Sequence, residues 1–385
     1  MHSLFDDTIA AQYAHDPLAL RVYTSRLLGS DQNLVLHGGG NTSVKIDNLL
    51  YVKGSGWDLA SIEKEGFPGV DLDVLKEMAT RQTLSDTQMV AEQKAAMIDK
   101  SAPNPSIEAI LHAIIPFTYV DHTHADAVVT ITNTPDAKSK LREIYGENML
   151  IIEYVMPGFI LAKTIYEQTK DIDWDKLDGI ILLNHGVFSF DDDAKKSYEK
   201  MIKIVDKASK YLQKHTDIAY TQTTTSPELE QFITPISKLR GKTIIPKMIN
   251  TPQAYYFSKL PDIKTIIHNG PLTPEHVIRT KAFPAILKDD IKKDLFTYTQ
   301  AYEAYFNKYA KDEIMLDTAP RWAVIPNQGV VVFGTDEKEN TILSDIISHT
   351  IDAILRAKQL GSWHSLDKKD IFAMEYWELE QAKLK

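Results

Sequence analysis

An α/β fold in two lobes is what this sequence predicts, on three observations. Short β-rich runs alternate with segments of helical periodicity, the pattern of packed sheet and helix layers. The chain has 385 residues, more than one ordinary core absorbs, so two domains are expected. The second half also echoes the first. Ile180-Ile181-Leu182-Leu183-Asn184-His185-Gly186-Val187 compares with Ala323-Val324-Ile325-Pro326-Asn327-Gln328-Gly329-Val330, at an offset of 143 residues. An acidic turn and a long helix follow in both. At 144 His124 falls on His268, and at 145 Pro116 falls on Pro261. A degenerate duplication is the expectation. Gln328 replaces His185 in the second copy, so any site built on His185 should have no equivalent there.

The elements follow in order. Leu18, Val22, Leu27 and Leu28 give Leu18 to Gly29 a helical stripe that ends on glycine. Val44 to Ile46 and Leu49 to Val52 flank Asp47-Asn48 and predict a hairpin. Ile107 to Ile115 reads as a helix with Ser106 as its N-cap. Tyr119-Val120 and Ala127 to Thr132 suggest strand around the pair His122 and His124. Gly179 to Leu183 and Val187 to Phe190 read as buried strands. Ala194 to His215 is a helix with Tyr198, Met201, Ile202, Val205, Ala208 and Leu212 on one face. The polar stretch Thr221 to Pro227 places a domain boundary there, giving domains 1–225 and 226–385.

Composition removes several function classes. No apolar run approaches the roughly 18 residues that span a bilayer, and the N-terminus, with Asp6, Asp7 and Asp16, is not a secretory signal. A net charge of −10 without a strong basic run leaves no footprint for nucleic acid. There are no cysteines, so disulfides and Cys-ligated zinc are excluded. Their absence fits a reducing compartment, and a cytoplasmic location is expected.

The chemistry concentrates in a few residues. His122 and His124 sit two apart, so on a strand they point to one face. His185 follows a separate buried strand. Neutral imidazole is the commonest protein ligand of a catalytic divalent metal, and three protein ligands leave a position open for substrate. Glu108, at a predicted helix start, is a candidate proton carrier for whatever binds there. Gly38-Gly39-Gly40-Asn41-Thr42-Ser43 fails as a dinucleotide fingerprint, since the third glycine and the following helix are missing. Lys53-Gly54-Ser55-Gly56 is not a P-loop. Both can still form an anion nest, with Asn41, Ser43, Ser55 and Ser106 around one phosphate pocket.

Gly40-Asn41-Thr42-Ser43, Lys53-Gly54-Ser55-Gly56, Pro105-Ser106-Ile107-Glu108, His122-Thr123-His124 and Asn184-His185-Gly186 occur in the order seen in class II aldolases. The chain resembles that aldolase/adducin family, and most of all the aldolase portion of bifunctional rhamnulose-1-phosphate aldolase/alcohol dehydrogenases. Tyr154 to Phe159, Gly270 to His276 and Glu375 to Lys383 carry the closer likeness. The resemblance implies a three-layer α/β fold with a mainly antiparallel central sheet flanked by helices, plus a second, degenerate aldolase-like lobe. It implies zinc on His122, His124 and His185, and Glu108 as acid/base with Tyr154 assisting. It implies a substrate phosphate held by Asn41, Ser43, Ser55, Gly56 and Ser106. The implied reaction is cleavage of a ketose 1-phosphate, of the rhamnulose 1-phosphate kind, to dihydroxyacetone phosphate and a short aldehyde such as lactaldehyde.

Two departures stand out. Ile107 replaces a second serine of the smaller aldolases. The bifunctional relatives continue into a short-chain dehydrogenase domain, whereas this sequence ends at Lys385 without a nucleotide fingerprint, so hydride transfer is not expected of it. Sugar-phosphate epimerases, dehydratases and sugar-acid decarboxylases share the scaffold and are the alternatives among enzymes. A metal-free scaffold of the adducin kind and a metal-binding sensor are the alternatives outside them. Family members commonly form rings with sites between subunits, so a homo-oligomer, dimer or tetramer, is expected. Arg279, Lys281 and Arg321 are second-half candidates for reaching an anionic substrate.

Overall fold

A computed structural model describes residues 1–220 and 227–384. They form two compact units. The first takes Met1–Thr132 and Asp136–Leu212, and the second takes Asn133–Pro135 and the chain from Gln213 onward. Most of the polar stretch read as a domain boundary, Thr221 to Ser226, lies outside the described residues.

The first unit is built on a seven-stranded sheet ordered β3-β2-β1-β4-β7-β6-β5. Its strands are β1 (Asn41–Ile46), β2 (Leu49–Val52), β3 (Gly69–Asp71), β4 (Tyr119–Thr123), β5 (Met149–Ile152), β6 (Gly179–Leu182) and β7 (Gly186–Asp191). All neighbours are antiparallel except β5 and β6. The helices that matter for the site are α1 (Pro17–Gly29), α2 (Leu72–Thr80), α3 (Ala109–Ile114), α4 (Asp126–Thr132), α5 (Phe159–Thr169) and α6 (Ala194–His215).

Helices cover both faces. α1 lies on β1 and β4. α6 reaches β4 through Ser197, whose hydroxyl donates to Asp121 Oδ2 at 2.5 Å, and through Met201 Sδ, 3.2 Å from the Thr123 hydroxyl. α3 lies on β2, with α2 and α5 packed beside it. This is the three-layer arrangement with a mainly antiparallel sheet. Local causes are visible in it. Asp47 takes a left-handed φ of 52°, as a two-residue hairpin turn requires. Nearly every residue of β6 and β7 is buried, which is why they read as unbroken apolar runs.

One element differs from its sequence reading. Ala127 to Thr132 is not strand but the body of α4. Val128, Val129, Thr130, Ile131 and Thr132 are all buried. A short apolar run enclosed on every side has no polar face to reveal a helical period, so β-branched composition misled. α3 also begins at Ala109, two residues later than read, because the Ser106 hydroxyl accepts from Glu108 N at 3.2 Å and forms a turn ahead of the helix.

The second unit holds a four-stranded sheet ordered β8-β11-β10-β9, with β8 (Ile245–Ile249), β9 (Ala285–Ile286), β10 (Trp322–Ile325) and β11 (Gly329–Gly334). Its longest helices are α7 (Ile291–Tyr309) and α8 (Glu337–Gln359). The order repeats β4-β7-β6-β5, with the parallel pair at the same edge. The β6–β7 and β10–β11 turns each place an asparagine left-handed, Asn184 at φ 57° and Asn327 at φ 62°. Upstream, the offset read from sequence does not hold. Thr123 pairs with Val187 and Ile249 with Val330, so Asn250, not His268, corresponds to His124. The connection from β8 to the hairpin is longer than that from β4, and no constant offset survives it. His268 sits in a 3-10 turn, Ile267–Asn269. Among the described residues no helix is long and apolar enough to cross a membrane.

Candidate active site

The site gathers where β1, β4 and the β6–β7 turn meet. Register pairs Asn41 with His122 and His122 with Phe188, so the three side chains share one sheet face. The His122 ring stacks on Phe188, with centroids 4.0 Å apart and planes 15° apart. Burial holds His122 well below its ordinary pKa, so the ring is neutral. Its Nδ1 lies 3.1 Å from the Val187 carbonyl and donates to it, which leaves the Nε2 lone pair for a ligand.

His124 follows the end of β4 and brings its Nε2 to 3.0 Å from His122 Nε2. His185 arrives from the β6–β7 turn, anchored by Asn184 N donating to Thr132 Oγ1 at 3.1 Å. One ring nitrogen from each of the three histidines lies within 4.8 Å of the others. Two glycines permit this crowding. A Cβ on Gly186 would stand 2.5 Å from Thr123 O and 2.8 Å from His122 Cε1, and one on Gly40 would stand 2.7 Å from His122 O.

Glu108 precedes α3 and is buried beside the cluster. Its Oε2 is 3.5 Å from His122 Nε2 and its Oε1 is 3.8 Å from His185 Nε2. Asn41 Nδ2 donates to Oε2 at 2.7 Å, while Oε1 accepts no hydrogen bond among the described residues. Burial alone would raise this carboxyl. The Asn41 amide, donating to it at 2.7 Å, favours the ionised form instead.

Three converging imidazoles and one buried carboxylate oxygen that accepts no hydrogen bond among the described residues fit a divalent cation with a substrate oxygen beside it. The set suits zinc and other imidazole-binding metals.

The remaining predicted residues divide. Asn41 and Ser106 are at the site: Asn41 Nδ2 also donates to Ser106 Oγ at 3.2 Å. Ser55 and Gly56 are exposed on the loop after β2, tied to the Ser106 segment by Ser55 N donating to Asn104 O at 2.8 Å and Ser106 N to Lys53 O at 3.0 Å. Ser43 is fully buried and points its hydroxyl at His112 Nδ1, 2.8 Å away. Tyr154 is half-buried in the loop after β5, its hydroxyl 3.9 Å from Met156 Sδ. In the second unit, Arg321 is committed to Asp317 through two bonds of 2.7 and 2.6 Å. Lys281 Nζ is buried on Tyr302 Oη at 2.9 Å and Asp317 O at 2.6 Å. Neither extends outward toward a substrate. Of the three only Arg321 makes an ion pair among the described residues.

His112 escaped the sequence reading. It stands four residues after Glu108, on the same helical face. That spacing was the available signal. The ring is fully buried, and burial pulls it down to about 3, so it too is neutral.

Two family descriptions match the chain: Class II Aldolase and Adducin N-terminal domain over residues 19–212, and Aldolase class II, second domain, over residues 221–384. A protein of Bacillus subtilis (strain 168) called an uncharacterized oxidoreductase, YuxG, is 30% identical across 94% of this chain, which spans 57% of that protein's length. The N-terminal class II aldolase domain of a conserved Thermoplasma acidophilum protein is 37% identical, covering 55% of this chain and 97% of its own, with a TM-score of 0.48. L-fuculose-1-phosphate aldolase from Thermus thermophilus is 16% identical, covering 51% and 96%, with a TM-score of 0.36. By its matched domains, this chain belongs to the class II aldolase and adducin family.

Proposed function

We propose that the chain is a zinc-dependent aldolase that cleaves a ketose 1-phosphate of the rhamnulose 1-phosphate kind to dihydroxyacetone phosphate and a short aldehyde such as lactaldehyde. The observation that supports it best is Glu108 beside the three histidines, with one oxygen already bonded and the other unengaged. A divalent metal held by His122, His124 and His185 supplies a Lewis acid for the substrate's carbonyl and hydroxyl oxygens.

The chain's own residues supply the rest. Asn41 and Ser106 fix the substrate end nearest Glu108. Ser106 Oγ accepts from Asn41 Nδ2 and Glu108 N, so its own O–H is the group left to donate to a phosphate oxygen. Ser55 and Gly56 offer a hydroxyl and a backbone N–H from the facing loop. In cleavage the C4 hydroxyl gives its proton to Glu108 Oε1, with Tyr154 assisting the transfer. The C4–O bond becomes a carbonyl, the C3–C4 bond breaks, and its electron pair stays on the ketose fragment as an enediolate. Glu108 then delivers that proton to C3 and releases dihydroxyacetone phosphate. The working form is a homo-oligomer, dimer or tetramer, which sedimentation at assay concentration checks.

An aldol assay on metal-analysed protein tests the reading. Dihydroxyacetone phosphate and L-lactaldehyde are mixed with and without a chelator and the product is followed by mass. Chelator-sensitive formation of a six-carbon ketose phosphate is expected. No product with a metal bound on every chain would overturn cleavage and turn the search to epimerisation, dehydration or decarboxylation. Protein that binds no metal at all would point to a scaffold.

A further inference from the structure

Strand β1 grips the α3 segment at three places through alternate residues. Asn41, Ser43 and Lys45 share one face of β1 because they lie two apart. Asn41 binds Glu108 just ahead of α3, Ser43 binds His112 within it, and Lys45 Nζ donates to the carbonyls of Ile115 and Phe117 just past it. Four strand steps span roughly 13 Å, and seven helical residues roughly 10 Å. The two spacings therefore run together, and the strand fixes the helix along its length.

The hydrogen bonds along this contact run in only one direction. The Asn41 amide turns its Nδ2 toward Glu108 Oε2 and donates to it at 2.7 Å. Asn41 Oδ1 then faces His112 Nε2, which must carry the ring proton and donate it. A neutral ring with its proton on Nε2 has a lone pair on Nδ1. That lone pair accepts from the Ser43 hydroxyl at 2.8 Å. The order is Ser43 to His112 to Asn41 to Glu108. The opposite tautomer would set two lone pairs face to face at Asn41 Oδ1, and the amide would turn its oxygen onto the carboxylate.

We propose that His112 is a positioning residue: through its Nε2–H tautomer it locks the Asn41 amide onto Glu108 Oε2, so that Oε1 is the oxygen that gives and takes the substrate proton. This rests on the reading of Glu108 as the acid/base. Protonation of Oε1 leaves Oε2 an acceptor, so the chain of bonds is undisturbed by the transfer. His112 touches no substrate.

Long-range 1H–15N spectra of uniformly 15N-labelled protein, recorded before and after zinc addition, test the tautomer directly. His112 is expected to show a protonated Nε2 and an unprotonated Nδ1 in both. Ser43→Ala removes the donor that selects this state and is expected to mix the tautomers. In kinetics, His112→Phe is expected to lower kcat by about 100-fold, the order of a misdirected acid/base group, with KM and bound metal near those of the unmodified enzyme. His112→Gln, which offers a carbonyl to Ser43 and an N–H to Asn41, is expected to restore most of that loss. A proton on Nδ1 in the unmodified protein overturns the proposal even if no variant folds. Equal losses in the Phe and Gln variants also overturn it. The expected tautomer in a protein with no aldol turnover would uphold the bond order and sink the aldolase reading instead.

Discussion

Asp121 holds the Arg21 guanidinium at 2.6 Å with both side chains fully buried, one strand position before His122. Alternation turns Asp121 to the sheet face away from the histidines, toward α1 and α6. Arg21 also donates to Thr24 Oγ1 at 2.6 Å, and Asp121 Oδ2 accepts from Ser197. Removing one partner of such a pair strands a buried charge, which costs about 3–5 kcal/mol. Asp121→Ala is therefore expected to lower the urea midpoint strongly. An Arg21→Met, Asp121→Leu double variant should recover most of the difference. If Asp121→Ala unfolds at the same urea concentration as the unmodified protein, the pair does not stabilise the back of the sheet.

Gly186 is the tightest point around the histidines. An added Cβ would meet Thr123 O at 2.5 Å, His122 Cε1 at 2.8 Å and His124 Cδ2 at 3.0 Å. The carbonyl cannot yield without moving β4, so both rings shift. Gly186→Ala is expected to cost about 1–3 kcal/mol from overpacking and to weaken zinc binding at least about 10-fold. Metal content after dialysis and thermal unfolding measure the two effects. Full zinc occupancy in a stable Gly186→Ala protein would contradict this account of the crowding.

What could be read in the sequence was local. The β1–β2 hairpin, α6 and the β6–β7 hairpin each carry their pattern within a few residues, in the Asp47-Asn48 turn, the 3.6-residue stripe from Tyr198 to Leu212, and the apolar runs around Asn184. What could not be read depends on pairing between distant residues. His112 gains its meaning from Ser43 and Asn41, 69 and 71 positions away, and no window along the chain contains both sides. Ser43 was legible as a polar residue beside a glycine-rich loop, but only the register shows its hydroxyl turned inward. α4 was misread because enclosure on all sides erased its periodicity.

Lys45 gives the stability a defined pH dependence. Burial first, then the charge of Lys76, pulls it from 10.5 to about 7, with Asp192 opposing. Between those values the unfolded chain holds a proton that the folded chain does not. Stability therefore rises with pH from about 7 toward 10.5, by up to about 1.4 kcal/mol per pH unit for one such group. Below about 7 the contribution is flat. Lys281, also drawn to about 7 by burial and then by Arg321, acts in the same sense. Urea unfolding at pH 7, 8 and 9 should show a shallower rise in Lys45→Met than in the unmodified protein. An identical slope would mean that Lys45 stays charged inside.

Glu108→Gln separates proton transfer from metal binding. The amide keeps the shape and can still meet Asn41, but it has no proton to deliver. Zinc content is expected to be unchanged, since the proposed ligands are the three imidazoles and not Glu108. Turnover is expected to fall by about 10²–10⁴, the usual worth of a positioned acid/base. Near-normal activity in this variant would remove Glu108 from the reaction.

Asn184 and Asn327 allow the repeat to be examined by stability. Both are left-handed in equivalent hairpin turns, a conformation that costs a residue with a Cβ roughly 1–2 kcal/mol and asparagine least among them. Alanine at either position is expected to destabilise by about 1 kcal/mol, and glycine to be neutral or slightly stabilising. The functional outcomes should differ. The Asn184 turn carries His185, so Asn184→Ala should also weaken zinc binding. The Asn327 turn carries Gln328, so Asn327→Ala should leave zinc binding untouched. Chemical unfolding paired with zinc competition against a chromophoric chelator reads both quantities on the same samples. Loss of zinc affinity in Asn327→Ala would show that the second hairpin supports the metal site, contrary to the separation argued from the His185-to-Gln328 exchange.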